Sequence, residues 1–272
     1  MRTNVAMWVW YRGERFLGFQ TQAQGPTVQA TLRSALAAVG VPHNPSPAGR
    51  TDKGVHARMQ VVSFRLDPSR AVDEVERALR PRLPPGLGVC ALKRAPAGFH
   101  AQWRATAKEY RYRLALGPPP PAWEGLVWQP SLEPRLFGAR LDPARLAALF
   151  SLCVGTRDFF AFHESSSVRR ARTLTSAKLL EVAPGVFEAR LVGDAFARYQ
   201  VRYLVGSVAL AAAGVLSEEA LRAALESAQE ISGLKAPAAG LTLWEVHYPP
   251  PLDPFAAERK APPHLPAEPP FF

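Results

Sequence analysis

An aspartate at position 52 stands between two cations, Arg50 and Lys53, and between two glycines, Gly49 and Gly54, in the run Ala48-Gly49-Arg50-Thr51-Asp52-Lys53-Gly54-Val55-His56-Ala57. Asp and Gly close together are an ordinary turn signal. The longer run offers more, because it presents a carboxylate flanked by two cations between glycines that let a substrate approach the backbone closely. An ionised carboxylate so placed can act as a nucleophile or as a base. No second acidic residue lies in the run. That disfavours glycoside hydrolysis, which normally needs a separate carboxylic acid as proton donor and access for water.

Other residues able to do chemistry are scattered. Arg198 and Arg202 are one helical turn apart and read as a basic face meeting solvent or phosphate. Tyr110 and Tyr112 alternate with charged residues, which is the pattern of aromatic packing on one face of a strand. The two cysteines, Cys90 and Cys153, sit in apolar sequence far from any C-x-x-C spacing and read as reduced core residues. No two of the six histidines are three or four apart, and none lies beside a cysteine, so no zinc site is expected.

The elements that must carry these residues follow from periodicity. A strand is expected over 5–11 and a helix over 27–39, with Val28, Leu32, Leu36 and Val39 on one face. A turn-rich stretch, 42–54, leads into a strand over 59–66, a helix over 72–80 and a strand over 87–92, so the first half reads β-α-β-α-β. Strict alternation over 104–116 predicts a long strand, with Tyr110 and Tyr112 on one face and Glu109, Arg111 and Arg113 on the other. Then come a helix over 143–154, strands over 174–182 and 186–192, helices over 196–213 and 218–227, and a strand over 241–248. The residues beyond 249, rich in Pro and Ala, are expected to be irregular or wrapped on the surface.

The chain of 272 residues carries a net charge of +10, with arginine the commonest cation. A polyanionic partner fits that balance, and a GC-rich genome explains it equally well. No apolar run reaches the roughly 20 residues needed to cross a bilayer. The start is too short and too strand-like for a secretory signal, so a cytoplasmic protein is expected.

The motifs resemble those of the tRNA pseudouridine synthase A family. Gly49-Arg50-Thr51-Asp52-x-Gly54-Val55-His56-Ala57 is similar to its active-site signature. Tyr11-x-Gly13-x-x-Phe16-x-Gly18-x-Gln20 with Thr27-Val28-Gln29 resembles its opening, with Phe19 where tryptophan is usual. Phe99-His100-Ala101 and Lys108-Glu109-Tyr110-Arg111-Tyr112 resemble its second motif. Asp158-Phe159-x-x-Phe162, Arg172-Thr173 and Phe196-x-x-x-x-Val201-Arg202-x-x-Val205-Gly206 resemble its third, and Ala236-Pro237-x-x-Gly240-Leu241 its last. Lys53 stands where a small residue is common, and the tail after Tyr248 is longer than the family needs.

The resemblance implies an α+β protein of mixed α/β character, with two similar halves, 1–100 and 101–248, whose antiparallel sheets meet at a central basic cleft, followed by a tail over 249–272. It implies isomerisation of uridine to pseudouridine at nucleotides 38, 39 and 40 of the tRNA anticodon arm, by a homodimer, without cofactor, metal or membrane. Asp52 becomes the catalytic carboxylate, Arg202 the cation that keeps it ionised, and Tyr110 the ring that holds the extruded base. Arg50 would fill the gap left by the base or hold its phosphate, with Lys53 and Arg198 as further RNA contacts. His56 lies in the same substrate-binding loop, where hydrogen bonding suits it better than titration. Two rivals remain: a non-catalytic RNA-binding protein or chaperone, and a nucleoside hydrolase.

Overall fold

In the computed structural model, residues 3–164, 170–227 and 231–272 are described. The elements run β1 (Thr3–Tyr11), α1 (Val28–Ala38), β2 (Ser46–Pro47), β3 (His56–Leu66), α2 (Val72–Leu79), β4 (Leu87–Arg94), β5 (Ala107–Ala115), α3 (Pro143–Leu152), β6 (Gly155–Arg157), β7 (Arg172–Ala183), β8 (Val186–Gly193), α4 (Gln200–Ala212), α5 (Glu218–Ser227) and β9 (Leu241–His247). Strand pairing is mostly antiparallel, and the fold is mixed α/β. Among the described residues no helix is long and apolar enough to cross a membrane.

The chain forms two compact units, Met1–Thr106 with Thr242–Phe272, and Ala107–Leu241. These bounds differ from halves of 1–100 and 101–248 because β9 pairs in parallel with β3, His56 opposite Thr242, and so returns the end of the chain to the first unit.

In the first unit β1 lies antiparallel between β3 and β4. Val5, Met7 and Val9 of β1 are fully buried, as are Trp8 and Ala6 on alternate positions, so both faces of the strand are covered. Thr27 caps α1 by accepting the Ala30 N–H at 3.4 Å, and Val28, Leu32 and Leu36 are buried from the face that the periodicity marks out. The tail is irregular apart from a single 3-10 turn, Pro250–Leu252, yet it is packed, since Phe255 and Phe271 are buried.

In the second unit β8 runs antiparallel between β5 and β7, and β6 extends the sheet beyond β7. Asp142 caps α3 by accepting the N–H groups of Ala144 and Arg145, and Pro143 occupies the first turn, where its missing N–H costs nothing.

Two sequence expectations change here. The helix expected from 196 begins only at Gln200, because Tyr199 is left-handed (φ 63°) and the Gln200 side chain accepts the Ala197 N–H at 2.8 Å, which closes a turn ahead of the helix. Arg113, expected on a polar face, is fully buried: β5 is covered on both faces, and Glu188, directly across the ladder on β8, supplies a counter-charge 2.7 Å away.

Candidate active site

The Asp52 loop is a tight turn held from several directions. The Asp52 carbonyl accepts the Val55 N–H at 3.1 Å, and the third turn residue, Gly54, has φ +82°, which a residue with a Cβ would adopt only under strain. Gly13 lies so close to Gly54 and Val55 that a Cβ there would fall 2.3 Å from the Val55 carbonyl carbon. The backbone of 13 is therefore pressed directly onto the turn.

The side-chain supports come from β1 and β3. The register between these strands shifts between Val9 and Tyr11, since Val9 faces Gln60 whereas Tyr11 faces Ala57. Such an irregularity re-aims side chains at a strand end. Beyond it the Tyr11 and Thr51 hydroxyls meet at 2.8 Å, and Gln60 Nε2 donates to the Gly49 carbonyl at 2.6 Å and reaches the Tyr11 hydroxyl at 3.4 Å. Phe19 N–H donates to the Thr51 carbonyl at 3.0 Å. Residues 49, 51 and 52 thus lean on β1, β3 and the segment between β1 and α1.

Asp52 is partly exposed, as a group meeting a ligand must be, while Arg50 and Lys53 on either side are exposed. Burial pushes the Tyr11 phenol up to about 12; its bonds to Thr51 and Gln60 pull the other way, and the Asp52 charge adds to the rise. Tyr11 is therefore a neutral hydroxyl that feels the Asp52 carboxylate. His56 is buried, and its Nδ1 accepts the Gly13 N–H at 3.2 Å, which ties β3 to the residue pressed on the turn.

In the second unit Tyr110 lies on β5, nearly buried, edge-on to Phe196 with ring centroids 4.9 Å apart. Arg202 lies in the first turn of α4, and its Nε donates to the Ala236 carbonyl at 2.6 Å, which leaves the two terminal nitrogens of the fork to face another group. Arg198 precedes the helix instead of sharing a face with Arg202. Its terminal nitrogen donates to the Tyr199 hydroxyl at 2.8 Å, and it lies 3.8 Å from Glu164. The Tyr199 ring is surrounded by cations, with Lys235 Nζ 4.3 Å, Arg198 Cζ 4.7 Å and Arg202 Cζ 5.3 Å from its centroid.

The sequence-predicted residues thus fall into two sets, with 50, 52, 53 and 56 in the first unit and 110, 198 and 202 in the second. Sequence reasoning did not single out Tyr11, Thr51, Gln60 or Tyr199 as supports. Nor did it single out Lys108, beside Tyr110's neighbour on β5, whose ammonium is pulled below its ordinary pKa by burial and by Arg170. A lysine inside a strand, where lysine is uncommon, was the one visible signal for the last of these.

A family model described as tRNA pseudouridine synthase matches residues 149–249. Over 251 residues the chain is 37% identical to tRNA pseudouridine synthase A of Neisseria gonorrhoeae (strain ATCC 700825 / FA 1090), covering 88% of this chain and 89% of that protein. It is 33% identical to tRNA pseudouridine synthase A of Roseiflexus sp. (strain RS-1), over 90% and 91% of the two chains. With that of Methylobacterium sp. (strain 4-46) the identity is 35% over 89% and 96%. A solved structure described as "Crystal Structure of a Cbf5-Nop10-Gar1 Complex" overlaps 75% of this chain and 44% of that one, with a TM-score of 0.36 and 14% identity, which is too loose a likeness to bear on function.

The family model and the relatives together define an isomerase of the pseudouridine synthase class. Within that class, the chain belongs to the tRNA pseudouridine synthase A family.

Proposed function

We propose that the chain converts uridine to pseudouridine in the anticodon arm of tRNA, at nucleotides 38, 39 and 40, with Asp52 as the catalytic carboxylate. The observation that carries the reading is the Asp52 turn itself. A partly exposed carboxylate, flanked by exposed Arg50 and Lys53, is braced by Tyr11, Thr51, Gln60 and His56, in a chain 37% identical to a tRNA pseudouridine synthase A over 88% of its length.

The reaction breaks the bond from uracil N1 to the anomeric carbon C1′, turns the base, and joins C5 to C1′. The hydrogen on C5 leaves as a proton and N1 gains one, so atoms and electrons balance without an oxidant or reductant. Asp52 acts either by attacking C1′ or by taking the proton on the neighbouring sugar carbon. Both routes need it ionised, and a guanidinium brought against it serves that end. Arg202 suits the role because its Nε is already committed to Ala236, so the fork is held in one orientation.

Tyr110 offers a ring to the extruded base, with its edge fixed by Phe196. Arg50 and Lys53 would meet the backbone next to the target, and Arg198 a more distant phosphate. His56 holds the loop. A homodimer in the cytoplasm, binding tRNA across both subunits, completes the proposal. Its basic surface makes tRNA binding weaken steeply with salt as phosphates recover their counterions.

The test uses tRNA carrying tritium at C5 of uracil, because forming the C5–C1′ bond must release that hydrogen to water. Tritium release with pseudouridine at 38, 39 and 40 supports the reading. Tight tRNA binding without release would instead favour a non-catalytic RNA-binding protein.

A further inference from the structure

The last twenty residues run back over β1 and grip it at two tryptophans. Phe255 is fully buried, edge-on to Trp8 with centroids 6.0 Å apart, and Phe271 is 1% exposed, edge-on to Trp10 at 5.4 Å. Polar ties fix the path between them. Arg259 pairs with Asp253 at 2.7 Å and with Glu245, and donates to the Val246 carbonyl at 2.7 Å. Glu258 pairs with Lys93 at 2.7 Å, and Trp10 Nε1 donates to the His264 carbonyl at 3.1 Å.

The end of the tail holds the residues on both sides of Tyr11. Trp10 is held by Phe271 and His264. Arg12 donates to Glu268 at 2.7 Å and to the Pro269 carbonyl at 3.0 Å, and its guanidinium carbon lies 6.0 Å from the Phe271 centroid. Tyr11 between them carries the hydroxyl bonded to Thr51, and Gly13 just beyond presses on Gly54 and Val55. These two supports of the Asp52 turn therefore issue from the stretch that the tail clamps, Tyr11 within it and Gly13 next to it.

We infer that residues 264–271 are a positioning element for the Asp52 loop: by clamping Trp10 and Arg12 they fix Tyr11 and Gly13, and through these the carboxylate. The consequence for turnover rests on the reading of Asp52 as catalytic. A displacement of a catalytic group by about 1 Å can cost roughly 100-fold in rate even when the change lies far from the chemistry. Burial of Phe271 is thus tied to geometry at the turn, whereas burial of Phe255, against Trp8 further back on β1, is tied to stability alone.

The two phenylalanines form a matched pair for the test, made in the full-length chain. Phe271→Ala and Phe255→Ala each remove a buried ring of the same size, so both lower the melting temperature. Hydrogen exchange of residues 49–56 is measured at a temperature where both variants are folded, together with the single-turnover rate and the tRNA dissociation constant. Phe271→Ala should speed exchange in that loop and slow turnover by roughly 10- to 100-fold with tRNA affinity within about twofold. Phe255→Ala should leave loop exchange and rate near those of the parent, and Phe271→Leu should recover most of the rate. Unchanged loop exchange in Phe271→Ala, or equal acceleration in both alanine variants, would overturn the inference. Faster loop exchange confined to Phe271→Ala with an unchanged rate would sustain the clamp and count against Asp52 as the catalytic group.

Discussion

The hydroxyl of Tyr11 meets that of Thr51 at 2.8 Å, forty residues apart in sequence, and this contact ties the end of the first strand to the residue just before Asp52. Gln60 reaches the same tyrosine and also holds Gly49, so one buried polar cluster fixes the segment that leads into the turn.

Tyr11→Phe removes that hydroxyl and keeps the ring in its place among Phe16 and Phe19. Thr51 is left buried without this partner, at a cost of about 1–3 kcal/mol. Chemical denaturation should show a loss in that range, and single-turnover rates should fall by more than tRNA binding does. A variant with parental rate and parental stability would show that the contact is incidental.

Stability should decline in alkali, beginning near pH 9. Burial pushes the Cys90 and Cys153 thiols from 9.0, and the Tyr11 phenol from 10.0, each up to about 12. Below the ordinary values both folded and unfolded chains hold these protons. Above them the unfolded chain releases protons that the folded chain keeps, so each group removes about 1.4 kcal/mol of stability per pH unit until pH passes the folded value. Guanidinium unfolding at about pH 8 and about pH 10.5 reads the slope. Cys153→Ala should lower stability at about pH 8 and flatten the slope by about one group's share, so that its deficit shrinks at about pH 10.5; an unaltered slope would contradict the assignment.

Glu188→Gln should be among the most damaging single changes in the second unit. Glu188 is fully buried, with Arg113 at 2.7 Å, Arg190 at 2.7 Å and Arg111 at 3.1 Å. Burial already brings Arg113 down to about 10, partly offset by Glu188. Removing the carboxylate charge strands a buried guanidinium, at roughly 3–5 kcal/mol. Adding Arg113→Met to Glu188→Gln should recover part of that loss, and a double variant no more stable than the single one would refute this account.

Glu188 also shows where the sequence could not speak. Alternation in β5 is plain, and it predicts the strand, but it assigns Arg113 to solvent because its partner lies on β8, seventy-five positions away. The Asp52 motif was legible from its local density of glycine and charge, whereas its braces, Tyr11 and Gln60, are long-range neighbours with no local mark. The proline-rich tail reads as irregular, and its backbone is so. Its packing depends on Phe255 and Phe271 fitting two tryptophans of β1, a match that no periodicity announces. The start of α4 was misplaced because a left-handed tyrosine and a glutamine side chain close the turn before it.

Arg202→Lys keeps the charge and loses the fork. A single ammonium cannot donate to Ala236 and also hold a carboxylate through two parallel bonds. Turnover should fall by at least about tenfold, in line with the loss of one charge-assisted bond, while tRNA affinity stays within about twofold. Equal losses in both would return Arg202 to a phosphate-contact role.

The most direct measurement is the single-turnover rate of Asp52→Asn, taken with its tRNA affinity and melting temperature on one preparation. The amide is nearly isosteric, and asparagine suits turns as well as aspartate does, so the turn closed by Val55 and Gly54 should persist. The amide can neither attack C1′ nor accept the neighbouring proton. Pseudouridine formation should drop by several orders of magnitude while affinity and melting temperature stay close to those of the parent. An Asp52→Asn enzyme that still forms pseudouridine at near-parental rates would contradict the catalytic role of the carboxylate.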